Sequence, residues 1–297
     1  MIRIGVDFGG TKIEAAALDA AGGFVARLRQ PNPRAYDAAV RLVRDLVEAV
    51  EQEAGARADG VGLGVPGSIS PTTGLIRNAN STFLNGRRFA EDLEAALGRP
   101  VRLANDANCM ALSEATDGAG AGAATVFAAI LGTGCGGGLV VDGRLVEGAS
   151  GVAGEWGHVP LPWATAEEHP GPACWCGRHG CLETWVSGTA FQADHGQGLT
   201  GEQITALAED GDADAVAAVD RYVDRLGRGL AMICDLFDPD VIVLAGGMSN
   251  LETLYGRLPG AIAPHVFTDT FATPVRRALH GDSSGVRGAA WLWEPAG

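Results

Sequence analysis

Three of the six cysteines crowd together as Cys174, Cys176 and Cys181, a Cys-x-Cys-x4-Cys run. Three thiolates and one imidazole complete the tetrahedron of a zinc ion and leave no open position, so the chemistry to expect there is structural. His158, His169 and His179 are the candidate nitrogens. Cys109, Cys135 and Cys234 stand singly in apolar or glycine-rich surroundings. In a reducing compartment that clustering favours metal over cystine.

A second kind of chemistry sits in two glycine turns, Asp7-Phe8-Gly9-Gly10-Thr11-Lys12 and Gly132-Thr133-Gly134-Cys135-Gly136-Gly137-Gly138. Consecutive backbone N–H groups in such a turn can cradle phosphate oxygens, and glycine allows both close approach and positive φ. Neither turn is a Walker A loop, because no Gly-Lys-Ser/Thr follows and no helix begins there. Gly134-x-Gly136 enters a strand, which argues against a Rossmann site. One Gly-Gly turn is ordinarily just a hairpin, but a nucleotide clamped between two lobes needs a matching turn from each. Lys12, the only lysine in the chain, lies in the first turn and could help hold a polyphosphate.

Carboxylates occupy the ends of two apolar runs. Asp106 follows VRLAN and precedes a helical segment, where it can serve as a general base or as a helix N-cap. Asp7 closes the first run. Taken alone, Glu155 and Glu183 read as solvated surface charges.

The elements that must position these groups alternate between strand and helix. RIGVD, KIEAAALD, GVGLGVPG, PVRLAND, VFAAIL, LVVDGRLV and DVIVLAGG read as short apolar strands. Residues 37–54 carry Val40, Val43, Leu46, Val47 and Val50 at helical spacing, and a second amphipathic helix runs through Val216, Val219, Val223, Leu226, Leu230 and Ile233. Strand, glycine turn and strand occur at the N-terminus and again after residue 124, a weak internal duplication. SISPTTGLIRNANSTFLNG predicts ordered loops around one short strand, residues 161–175 are proline-rich and irregular, and the small-residue run 117–124 is the best hinge. The pattern predicts an α/β architecture.

Composition narrows the function. The 297 residues carry 22 basic and 36 acidic side chains, a net charge of −14, with 46% hydrophobic residues. That acidity opposes nucleic-acid and anionic-membrane binding. No apolar stretch reaches the ~20 residues that cross a bilayer, and MIRIGVDFGG shows no leader, so a cytoplasmic location is expected.

Taken together, DFGGTK, NDANC, LGTGCGGG, GEWGH, CWCGRHGCLE and AGGMSN resemble, in order and over essentially the whole chain, the motifs of the ROK family of sugar kinases. GVPGSISPTTGLIRNANSTFLNG, GEWGHVPLPW and HGDSSGVRGAAWLW look most like its bacterial fructokinase branch. The resemblance implies a two-lobed actin-like (ribonuclease H-like) ATPase fold with a nucleotide and sugar cleft, and an ATP-dependent hexose kinase acting on the 6-hydroxyl of fructose. Mannose, glucose and N-acylated hexosamines are the alternative acceptors. Sugar-responsive repressors of the family carry an N-terminal DNA-binding region, for which the turn at Asp7 leaves no room. A sugar-binding protein without catalysis is a further alternative, opposed by the intact Asp7, Asp106 and glycine turns.

By the same resemblance, Asp106 is the catalytic base and Asp7 orients Mg²⁺. Asn105, Glu155, His158 and Glu183 contact the sugar, with Asn80 and Ser68 completing its pocket. Gly9, Gly10, Thr11, Lys12, Gly132, Thr133, Gly134 and Gly136 hold phosphates, while Gly246, Gly247 and Met248 lie on the adenosine side. His158 is the nitrogen that joins Cys174, Cys176 and Cys181 around structural Zn²⁺. The N-terminal lobe is expected over residues 1–118 and 281–297, the C-terminal lobe over 119–280, and the assembly is expected to be a homodimer. Trp291 and Trp293 are read as packing residues.

Overall fold

Alternation of apolar side chains makes Arg3–Phe8 a strand, β1, whose Ile4, Val6 and Phe8 are buried. In this computed structural model, which describes residues 2–293, β1 pairs antiparallel with β2 (Lys12–Leu18) in unbroken register from Arg3–Leu18 to Phe8–Ile13. β3 (Phe24–Pro31) pairs antiparallel with β2. Next come α1 (Tyr36–Ala54), β4 (Val61–Val65), β5 (Ser68–Ile69), β6 (Ile76–Arg77), α2 (Phe89–Leu97), β7 (Val101–Asn105) and α3 (Asp106–Asp117). Then follow β8 (Thr125–Leu131), β9 (Cys135–Val141), β10 (Arg144–Leu145), α4 (Glu183–Val186), α5 (Gly188–His195), α6 (Gly201–Glu209) and α7 (Ala213–Phe237). β11 (Val241–Ala245), α8 (Thr253–Ile262), β12 (Val275–Arg277) and α9 (Ser284–Trp291) complete the order.

The main strands form two sheets, in the orders β3-β2-β1-β4-β7 and β10-β9-β8-β11-β12. Numbered within its own sheet, each reads third, second, first, fourth, fifth. The duplication visible in the sequence is therefore a repeat of topology. In each sheet the last three strands run parallel, as β1-β4-β7 and β8-β11-β12. β4 and β11 are buried along their whole length, which is why they read as unbroken apolar runs.

Two local expectations are corrected. The run Gly136–Gly138 was expected to lie in the second glycine turn, but β9 already begins at Cys135 and the turn is confined to 132–134. A Cβ on Gly137 would come within 2.8 Å of the Trp156 ring, and one on Gly138 within 2.6 Å of Ala111. These glycines make room for neighbouring side chains within a strand. The segment expected to hold one short strand has two, β5 and β6, paired antiparallel, followed by a 3-10 turn at Thr82–Leu84.

Internal packing divides the chain into two units: Met1–Ala121, Gly138–Ala153 and His280–Gly297 form one, and Gly122–Gly137 with Gly154–Leu279 the other. The crossing at 121/122 falls inside the small-residue run 117–124. Residues 138–153, expected in the C-terminal lobe, pack with the first unit. In that unit α9 lies against β1, β4 and α3 at backbone distance: a Cβ on Gly62 would strike the Ala289 carbonyl, and one on Gly288 the Cys109 carbonyl. This close seating delivers the start of α9 to the end of β1, where Asp7 lies. No described helix is long and apolar enough to cross a membrane.

Candidate active site and metal centre

In the first unit the end of β1 and the start of α3 bring Asp7 and Asp106 into each other's electrostatic reach. Burial pushes the Asp7 carboxyl up, and the negative charges of Asp106 and Glu14 add to the effect, placing it at about 6; Lys12 and Arg29 oppose the rise. Glu14 is itself buried beneath Arg27 and Arg29. Asp7 is thus a carboxylate short of positive charge, the chemistry of a group that receives a cation. Gly285 at the start of α9 is what fits beside it, since a Cβ there would approach the Asp7 carboxyl carbon to 3.2 Å.

The N-cap duty considered for Asp106 falls to its neighbour. Asn105 caps α3, its Oδ1 accepting from the Ala107 amide at 2.9 Å, while its Nδ2 donates to the Gly67 carbonyl at 2.9 Å. Two of the four hydrogen-bonding positions of this amide are thereby used, leaving one donor and one lone pair. Asp106 is the first helical residue and also accepts from the Ala107 amide, through Oδ1 at 2.8 Å. Ser68 accepts from Arg77 Nε at 3.1 Å on the β5–β6 pair, and Asn80 is exposed.

Gly9, Gly10 and Thr11 form the tight connection between β1 and β2, and Lys12 begins β2. None of Gly9, Gly10, Gly132, Gly134 and Gly136 has φ in the left-handed region; at Gly9 a Cβ would come within 2.9 Å of the Lys12 carbonyl, whereas one on Gly132 would meet nothing within 4 Å. Sequence reasoning missed Asn32. Its side chain is buried, and its Nδ2 donates to the Gly9 carbonyl at 2.7 Å while its own amide donates to Thr11 O at 2.9 Å. The signal available was one polar residue between Pro31, the last residue of β3, and Pro33, which does not distinguish a tether from a loop residue.

In the second unit the turn 132–134 is held by the segment that begins at Glu183. Glu183 Oε2 accepts from the Cys135 amide at 2.9 Å, the Gly188 amide donates to Gly132 O at 2.7 Å, and Thr189 Oγ1 donates to Thr133 O at 2.6 Å. A Cβ on Gly134 would come within 2.7 Å of Glu183 Oε2, so any larger residue there would displace the carboxylate that accepts from the Cys135 amide. Gly136, within β9, accepts from Trp156 Nε1 at 2.9 Å through its carbonyl. Gly246 (φ 82°) and Gly247 are exposed after β11. Met248 is buried, and its side chain reaches toward Gly188 and Gly201, leaving any nucleotide contact at that residue to its backbone.

His158, Cys174, Cys176 and Cys181 offer ligand atoms that all lie within 4.8 Å of one another. Tetrahedral zinc with bonds of about 2.0–2.3 Å requires ligand atoms roughly 3.3–3.8 Å apart. His158 Nδ1 is 3.7 Å from Cys174 Sγ, and the sulfurs of Cys176 and Cys181 are 3.6 Å apart, so the donor set and spacing fit. His169 and His179, the competing nitrogens, are not in this group. Nδ1 is the nitrogen on the sulfur side, which leaves Nε2 as the other face of the ring. Glu155 is exposed one residue ahead of the 3-10 turn Trp156–His158.

The irregular stretch between His158 and Cys174 is tied down by charges that its sequence did not single out. Glu168 accepts from Arg225 Nε and Arg228 Nη2, each at 2.9 Å, and Arg228 Nη1 also donates to the Trp163 carbonyl at 3.0 Å. Burial alone would raise the Glu168 carboxyl, but the bonds from Arg228 and Arg225 outweigh it and hold the group at about 2.

The model of the ROK family matches residues 3–296. The chain is 40% identical to the N-acetyl-D-glucosamine kinase of Photobacterium profundum, over 97% of this chain and 98% of that protein. It is similar to the solved ROK hexokinase from Thermus thermophilus, with 34% identity, a TM-score of 0.88 and coverage of 98% of this chain and 97% of the other. It is also similar to a ROK family glucokinase from Streptomyces griseus solved in complex with glucose and AMPPNP, with 28% identity, a TM-score of 0.78 and coverage of 98% and 99%. None of these three bears the fructokinase name that the loop motifs had favoured. With the family model spanning nearly every residue and the α/β, actin-like ATPase architecture shared, the chain belongs to the ROK family of sugar kinases.

Proposed function

We propose that this protein transfers the γ-phosphoryl group of ATP to the primary 6-hydroxyl of N-acetyl-D-glucosamine. The observation that carries the choice of sugar is the 40% identity, end to end, with a protein named for that reaction. Fructose, expected from the loop motifs, thereby yields first place.

The residues supply the parts such a transfer needs. Asp106 accepts the proton of the 6-hydroxyl as its oxygen attacks phosphorus, and the β-phosphate oxygen leaves with ADP. Asp7 is the side chain that would hold Mg²⁺, which when bound neutralises charge on the phosphoryl oxygens. Backbone amides of the turns at 9–12 and 132–134 hold phosphates, and the exposed Gly246–Gly247 backbone faces the adenosine. Asn105, through its remaining donor and lone pair, and Glu155, His158 Nε2 and Glu183 bond sugar hydroxyls, with Ser68 and Asn80 completing that set. His158, Cys174, Cys176 and Cys181 hold one structural zinc.

A coupled assay with Mg-ATP tests the sugar. An acetamido group brings a donor and an acceptor, and leaving their buried partners unpaired costs about 1–3 kcal/mol each, so kcat/KM for N-acetylglucosamine should exceed that for glucose, mannose and fructose at least ~10-fold. A higher value for fructose would return the assignment to the fructokinase branch. The metal is tested separately. Elemental analysis should find one zinc per chain, and its removal by a strong chelator should speed amide hydrogen exchange across 174–181 while leaving β1 and β4 protected. An intact loop after complete removal would show that the cysteines need no metal.

A further inference from the structure

Trp175 stands between two of the zinc-spaced cysteines and is 65% exposed, an unusual place for a large aromatic residue. Its indole Nε1 donates to Glu183 Oε1 at 2.7 Å, and its ring meets the His158 ring edge to face, centroids 4.9 Å apart at 83°. The other oxygen of the same carboxylate, Oε2, accepts from the Cys135 amide at 2.9 Å. Both carboxylate oxygens of Glu183 are therefore fixed, one by the cysteine loop and one by the glycine turn.

This has a chemical consequence. A carboxylate offers about four lone-pair positions. With one filled on each oxygen by a fixed donor, one remains on each, held in a single plane and orientation. Two adjacent oxygens with one open lone pair apiece match two neighbouring hydroxyl donors of a sugar ring. Without the indole, the carboxylate keeps its bond to Cys135 but regains rotation at its outer oxygen, and ordering that oxygen becomes a cost of binding.

We propose that Trp175 is a positioning residue: it aims the Glu183 carboxylate at the sugar, so that the order of the cysteine loop sets sugar affinity. The inference rests on the reading of Glu183 as a sugar contact. It adds a purpose for the metal. An ion that orders Cys174 and Cys176 also orders the residue between them and, through its indole, the Glu183 carboxylate at the start of α4. The glycine turn does not depend on this link alone, because Gly188 and Thr189 hold Gly132 and Thr133 by their own hydrogen bonds.

The test is Trp175→Phe, which keeps a ring against His158 and removes only the donor. The variant should retain its full zinc content, raise KM for the sugar about 5- to 20-fold, change kcat less than about 3-fold and leave KM for ATP within about 2-fold. Loss of zinc from Trp175→Phe, or equal effects on both substrates, would mark Trp175 as merely structural and overturn the inference. Sugar binding measured by calorimetry closes the argument. Trp175→Phe should weaken it in the wild-type background and add nothing in a Glu183→Ala background. Equal weakening in both backgrounds overturns the inference while sparing Glu183. Unchanged sugar binding in Glu183→Ala alone removes Glu183 from the sugar contacts and takes the inference with it. Should Glu183→Ala fail to fold, the split between the sugar KM and kcat in Trp175→Phe decides by itself.

Discussion

Asp106→Asn is expected to lower kcat by about 10²- to 10⁴-fold, with the KM of the sugar nearly unchanged. The asparagine is close to isosteric, and its Oδ1 can still accept from the Ala107 amide, as Asp106 Oδ1 does at 2.8 Å. Asn105 continues to cap α3 from the preceding position, so the helix start is not lost with the charge. What disappears is the capacity to take a proton, together with one negative charge near Asp7. The second loss gives an independent readout. Asp106 is the larger of the two charges that raise the Asp7 carboxyl, so in the variant the Asp7 titration should move to lower pH, away from about 6. Turnover within about 10-fold of wild type would end the assignment of Asp106 as the base. An unmoved Asp7 titration in an inactive variant would show that the charge coupling is weak while leaving the chemistry in place.

The sequence made the buried strands and the two long helices legible because their burial is one-sided or complete, and such burial writes itself into apolar periodicity. The largely exposed β3 and β12 left no such mark, and the run LVVDGRLV, read as one strand, is broken at Asp142-Gly143 between β9 and β10. Val43, Leu46, Val47 and Val50 are the buried stripe of α1 that the spacing predicted. Val216, placed on the buried stripe of α7, is 37% exposed while Ala215 and Ala218 on either side of it are fully buried. At this end of the helix the covered face therefore runs through the two alanines, whose small size hides them from a search for large apolar side chains. The limits of the glycine turns were not legible. Gly136, Gly137 and Gly138 look like turn residues in one dimension, yet the small size of the last two serves Trp156 and Ala111, which come from distant sequence. Tertiary neighbours decide what a glycine is for, and they leave no local mark.

Site residues divide in the same way. The cysteines announced themselves through spacing, and the structure gathers them with His158 across a proline-rich interval. Asn32, Trp175, Glu168 and Gly285 did not, because each acts by holding another residue: Gly9, Glu183, the loop before Cys174, and Asp7. A residue that reacts or ligates has a restricted chemistry and recurs in motifs. A residue that holds needs only one hydrogen bond or one missing methyl group in the right place, and many residue types can supply it.

Asp7→Asn should abolish most turnover, by about 100-fold or more, while making the protein more stable at neutral pH. The sign follows from the raised carboxyl. Its folded value of about 6 lies above the ordinary 3.8, so between these values the folded chain binds more protons than the unfolded chain. Stability contributed by this group is present below about pH 4 and falls as pH rises toward 6, above which the full cost of the buried charge applies. The difference of about 2 units sets a ceiling of about 3 kcal/mol, reduced here because the Asp7 side chain keeps some contact with solvent. Urea denaturation should therefore find Asp7→Asn more stable than wild type by about 1–2 kcal/mol at pH 7.5 and nearly equal at pH 4. Mg-nucleotide should reverse the order, raising the Tm of wild type much more than that of the variant, because the carboxylate disfavoured in the empty protein is the one proposed to receive the cation. A variant less stable than wild type at pH 7.5, or stabilised equally by Mg-nucleotide, would show that Asp7 is a structural carboxylate satisfied by Lys12 and Arg29, and that the cation is held elsewhere.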